Sequence, residues 1–127
     1  MKGKNFIIPL GTYPFDVMVS IDEADDQLKK LLKKLNVPQD YIDGIQPMVE
    51  SVRGRHILLE NNQTIIRLKI AGRDKYEVIG NISHEVFHAV TVLFDRIGMR
   101  FCLESSDEAY AYAVQYLMTA ICRELKL

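Results

Sequence analysis

Residues 74–98, DKYEVIGNISHEVFHAVTVLFDRIG, read as one long amphipathic helix. Asp74 and Glu77 have the spacing of a capping box, in which the first side chain accepts from backbone N–H groups and the second returns to it. Val78, Ile79, Ile82, Val86, Ala89, Val90, Leu93 and Ile97 recur at helical spacing and form an apolar face. Gly98 is suited to the left-handed residue that closes a helix. Opposite the apolar face runs a polar stripe of Asn81, His84, Glu85, His88, Thr91 and Asp95.

Within that stripe, His84-Glu85-Val86-Phe87-His88 is an H-E-x-x-H motif. Residues four apart on a helix share a face, so both imidazoles can meet one Zn²⁺ ion. Glu85 is then directed at the open coordination position, where it can take a proton from the metal-activated water and pass it to a leaving amine. Two histidines do not complete such a site, and a third protein ligand is expected. Thr91 and Phe94 occupy the places where a histidine-rich extension of the motif would put glycine and histidine. The third ligand is therefore expected to be a carboxylate from the following helix. Glu108 fits best, with Glu104 and Asp107 as competitors. Ser105 and Glu108 also have capping-box spacing, so Glu108 has a plain helix-start alternative.

Upstream, two β-like runs, His56–Glu60 and Thr64–Ile70, flank Asn61-Asn62-Gln63, a turn sequence. Ile66, Leu68 and Ile70 alternate with Arg67 and Lys69, the pattern of a half-buried strand suited to a sheet edge. His56 is a candidate fourth ligand that would close the site, against the simpler reading of a half-exposed strand-end histidine. Residues 38–53 read as a connection with a short helical turn. Before it, Asp22 is expected to open a helix with acids in its first turn, lysines in its last, and Leu28, Leu31, Leu32 and Leu35 along one side. The lysines read as a solvated face. Residues 6–21 read as extended chain, with Phe15, Val17, Val19 and Ile21 alternating with Asp16, Met18 and Ser20.

Downstream, residues 106–125 read as a last helix, apolar enough to be largely buried. Tyr112 lies one turn beyond Glu108, where its phenol can donate to the oxyanion of a tetrahedral intermediate, although packing is the commoner use of a tyrosine. Cys102 and Cys122 read as small buried thiols, since two cysteines make neither a disulfide framework nor a metal knuckle.

The chain has 127 residues, enough for one domain spanning 1–127. It is 48% hydrophobic and 26% charged, with a formal net charge of −1, which gives no general attraction to nucleic acid or anionic membrane. The apolar run at residues 6–10 is too short for a signal-peptide core, and no stretch is long enough to span a bilayer. A cytoplasmic location is the default expectation.

The HEVFHAV core within Val78–Val90, followed by the segment DEAYAYAVQYL at 107–117, resembles the glutamate-liganded zincin metallopeptidases. More closely, it resembles small peptidase-like proteins of phages and other mobile elements. The resemblance covers about residues 64–118. It implies metal ligands His84, His88 and Glu108, Glu85 as general base, and an α+β zincin-like scaffold. In that scaffold a small antiparallel or mixed sheet packs on the motif helix and a C-terminal helix, and the 64–70 strand borders the cleft. Larger relatives often carry aspartate four residues after the glutamate; here that position is Tyr112, leaving Asp95 as a candidate support for a histidine. The expected activity is zinc-dependent hydrolysis of a peptide or protein substrate. A non-catalytic binding or regulatory protein on the same scaffold is the alternative, and a closed structural zinc site is a third reading.

Overall fold

The computed structural model describes residues 3–60 and 62–127. It is an α+β fold with four strands and four helices among those residues. In chain order they are β1 (Lys4–Pro9), β2 (Asp16–Ile21), α1 (Asp25–Lys34), α2 (Gln39–Asp43), β3 (Gly54–Leu58), β4 (Gln63–Leu68), α3 (Lys75–Arg96) and α4 (Asp107–Leu125). The sheet order is β1-β2-β4-β3. The outer pairs, β1 with β2 and β3 with β4, are antiparallel, and the central pair β2–β4 is parallel. The sheet is therefore mixed.

Side-chain alternation divides the core into two parts. Val17, Val19, Ile66 and Leu68 face α3 and α4, where Ile82, Val86, Val90, Leu93, Leu117 and Ile121 are buried. Met18 and Ile65 point the other way, onto Leu28 and Leu32 of α1 and Ile42 of α2. Tyr13 and Phe15, from the β1–β2 turn, close one end of the larger cluster against Phe94.

The long helix forms where its sequence indicates. Asp74 accepts from the backbone N–H groups of Tyr76 and Glu77, each at 3.1 Å, and Gly98 follows the last turn at φ +75°. Glu77 does not return to Asp74; its carboxylate pairs with Arg53 in the segment leading into β3.

Three expectations are corrected. Asp22 does not open α1. It sits at φ +53° as β2 ends, and its carboxylate accepts from the N–H groups of Ile70 at 2.8 Å and Ala71 at 3.4 Å, pinning the β4 exit to the β2 exit. Aspartate tolerates this left-handed conformation, so the helix begins at Asp25 instead. The second strand of the β3–β4 hairpin is no edge: β4 lies between β2 and β3, and Arg67 is 1% exposed. Its guanidinium reaches Asp25 at 2.8 Å and the Glu23 carbonyl at 3.0 Å, so a charged residue sits inside the sheet with its charge answered from α1 and the turn before it. Finally, α4 buries one face only, with Tyr112 and Tyr116 exposed on the other. The β3–β4 turn includes Asn62 at φ +58°, while Asn61 lies outside the described residues.

Candidate metal centre

The fold lays α3 across the α3/α4 face of β3 and β4, and the H-E-x-x-H residues meet the edge strand β3. His84 and His88 are exposed, one turn apart, and their Nε2 atoms are 3.2 Å apart. Two nitrogens about 2.0–2.1 Å from one tetrahedral ion are separated by about 3.3 Å. The two nitrogens are within hydrogen-bond reach of each other, a spacing that also matches the edge of a zinc coordination tetrahedron, and their donor chemistry fits that metal.

Glu85 points inward from the same turn and is 6% exposed. Its side chain lies against the start of β3 at Gly54: a β-carbon added there would stand 3.0 Å from Glu85 Cγ and 3.2 Å from Oε1. Glycine at this position is what lets the carboxylate pass so close to the strand. Burial pushes the Glu85 carboxyl above the ordinary range, while His84, His88 and Arg55 pull it back down. His84 Nε2 lies 3.9 Å from Oε1. A carboxyl held in this way accepts a proton more readily than a solvated one, as a general base for water should.

His56 comes to the same place from β3. Its register partner is Ile66, so its side chain is on the α3 side of the sheet. The rings of His56 and His88 are nearly parallel, with centres 6.3 Å apart. Partial burial, and then the neighbouring His88, lower the His56 pKa to about 4. This histidine lies within the strand and against the motif helix, where the sequence suggested a strand end.

The other expected site residues are placed elsewhere. Glu108 is exposed in the first turn of α4. That turn is anchored by Tyr110, which packs on Phe94 and donates to the Met99 carbonyl at 2.6 Å. Phe94 is about 9 Å along the helix axis from His88. Glu104 is exposed in the loop before α4, and Asp107 is partly buried at its start. Tyr112 lines a groove with Leu10, Tyr13 and Tyr116, between the β1–β2 turn and α4. Asp95 is exposed near the end of α3. Among the described residues, no three His, Cys, Asp or Glu side chains already converge as a metal-ligand group. The cysteines depart from expectation. Cys102 is exposed in the loop before α4, where the Ser105 hydroxyl lowers its pKa, and Cys122 is partly buried.

Gly54 is the site residue that helix-centred reading passes over, whereas His56, a candidate ligand in the sequence, lies beside His88. A glycine opening a strand two residues before a histidine is a signal of close backbone approach, but it does not name the partner. No helix among the described residues is long and apolar enough to cross a membrane. In comparisons with known proteins, no family model matches this chain, and no curated protein or solved structure matches it significantly.

Proposed function

We propose that this protein is a metal-dependent hydrolase of the zincin type, acting on peptide bonds. The observation carrying this reading is the 3.2 Å separation of His84 and His88 Nε2, with Glu85 buried beside them against Gly54. Zinc held by His84 and His88 would supply an acidified water and a Lewis acid for the scissile carbonyl. Glu85 removes the proton from the attacking water and carries it to the departing amine. Its confinement between α3 and β3 fixes its direction, and its raised pKa suits both halves of that transfer. Open pockets of about 310 and 280 Å³ lie on the two sides of Glu85, lined by Ser51–Gly54 and by Gly54–His56. They leave the strand side of the centre accessible to an extended chain.

A second reading, a non-catalytic binding or regulatory protein on the same scaffold, is favoured by the shallowness of those pockets. Elemental analysis after purification without added metal tests the shared premise. About one zinc per chain is expected, because ligands brought together by folding bind metal with folding energy. No transition metal and no uptake of added zinc would remove the first reading and leave the second only in a form that works without metal. Turnover of any peptide by wild type but not by Glu85→Gln, with zinc retained, separates the first from the second.

A further inference from the structure

The three histidines of the chain, two on α3 and one on β3, gather at one spot. The hydrogen bonding behind His56 determines which of its nitrogens is free. Thr64, 1% exposed, donates its hydroxyl hydrogen to the Ile57 carbonyl at 2.7 Å. A hydroxyl has one hydrogen, so in its contact with His56 the same oxygen must accept, and His56 Nε2 must carry the proton. In the neutral ring that leaves the Nδ1 lone pair unprotonated. A metal-ligating histidine characteristically donates its other N–H to an oxygen, which fixes tautomer and ring orientation. His56 has that arrangement.

We propose that His56 Nδ1 is the third metal ligand, joining Nε2 of His84 and of His88, with Thr64 holding the His56 ring from behind. The inference rests on the metal-centre reading above and specifies its ligand set. Imidazoles sharing one tetrahedral zinc have ring centres about 5 Å apart. His84 and His88 are at 4.8 Å and His56 and His88 at 6.3 Å, so the His56 ring has to move closer to His88 for the three to share one ion. Three protein ligands leave a fourth position open beside Glu85, as water activation requires. Glu108, by contrast, belongs to a turn fastened near Phe94 and Phe101 through Tyr110. A ligand on β3 also makes the metal a clamp between the motif helix and the edge strand.

Zinc affinity is measured by competition against a chelator for wild type, His56→Ala, His56→Asn, Thr64→Val and Glu108→Ala, with circular dichroism confirming the fold of each. Loss of His56 is expected to weaken zinc binding by more than the roughly 10–100-fold typical of losing an outer partner, and Thr64→Val by roughly that amount. Glu108→Ala should bind as wild type does. A second readout is ¹⁵N NMR of the wild-type histidines, in which zinc should shift His56 Nδ1 and leave Nε2 protonated. Folded His56 variants that hold zinc like wild type would overturn the inference while leaving the His84–His88 centre standing. So would a Glu108→Ala protein that alone loses the metal. If the His56 variants fail to fold, an unshifted Nδ1 in zinc-loaded wild type overturns it. A wild type that takes up no zinc ends both the inference and the reading beneath it.

Discussion

Glu85 and Arg67 are both buried charged residues, on opposite faces of the same sheet, and their surroundings differ in kind. Arg67 is answered at both terminal nitrogens, with Asp25 on one and the Glu23 carbonyl on the other. Glu85 has only the loose approach of His84 Nε2 at 3.9 Å, and its burial raises its pKa. A buried charge whose partners are all supplied is part of the framework. One buried without a close partner retains its capacity to react, and the proposed chemistry is placed on that residue.

The largest test of this contrast is chemical. Glu85→Gln should lower any hydrolysis by roughly 10²–10⁴-fold, measured as kcat/KM on a peptide substrate, with stability nearly unchanged. An equal loss of activity and thermal stability would mean that Glu85 is framework after all. Next comes the framework residue. Arg67→Ala should cost about 3–5 kcal/mol in denaturant unfolding, because it empties a fully buried side-chain site and leaves the Glu23 carbonyl without its donor. Arg67→Met, which fills the space without the charge, should recover much of that only when combined with Asp25→Asn. A smaller effect is expected at the contact between strand and base. Gly54→Ala should destabilise by about 1–2 kcal/mol, by pushing a methyl against Glu85, and should lower activity more than stability. A tolerated alanine with full activity would show that the approach at Gly54 does not position the carboxylate.

The smallest effect concerns pH. Burial alone would raise the Asp25 pKa, but the hydrogen bond and charge of Arg67 and the Met48 N–H together hold it below its ordinary value of 3.8. A carboxyl depressed in the folded state stabilises the protein above its unfolded pKa and loses that contribution as pH falls through the folded one. Wild type should therefore lose about 1 kcal/mol more than Asp25→Asn as acid is added below about pH 4, allowing for the partly exposed setting. Parallel acid unfolding curves for the two proteins would count against the pairing.

The same pair of residues shows what the sequence could and could not disclose. The α3 helix and its motif were legible because caps, period and spacing are local, and Asp74, His84, His88 and Gly98 all lie within one segment. Arg67 was misleading because alternation places it opposite Ile66 and Leu68 without saying whether that side meets water or a helix. Its partner Asp25 is remote in the chain. Asp22 was misleading for a related reason: an aspartate before a helical stretch suits a cap, yet here it serves a left-handed turn and the β4 exit. The gathering of His56 with the motif histidines depends on which strand of the hairpin lies under α3, a tertiary fact with no local pattern. So does the exposed placement of Glu108 and Cys102, which follows from how the loop after α3 turns back.

The parallel seam at the centre of the sheet has a kinetic consequence. Asp16 and Gln63, paired in register, are 47 residues apart, whereas β3, β4 and α3 follow one another directly. Closing the long loop costs chain entropy before its contacts repay it, so β2–β4 pairing should be the slow event in folding. The segment carrying Gly54, His56, Glu85 and both motif histidines is built from neighbours in sequence and can organise first. Truncations of Val17 or Ile66 should accordingly slow refolding, whereas truncations in the last turns of α4 should mainly speed unfolding.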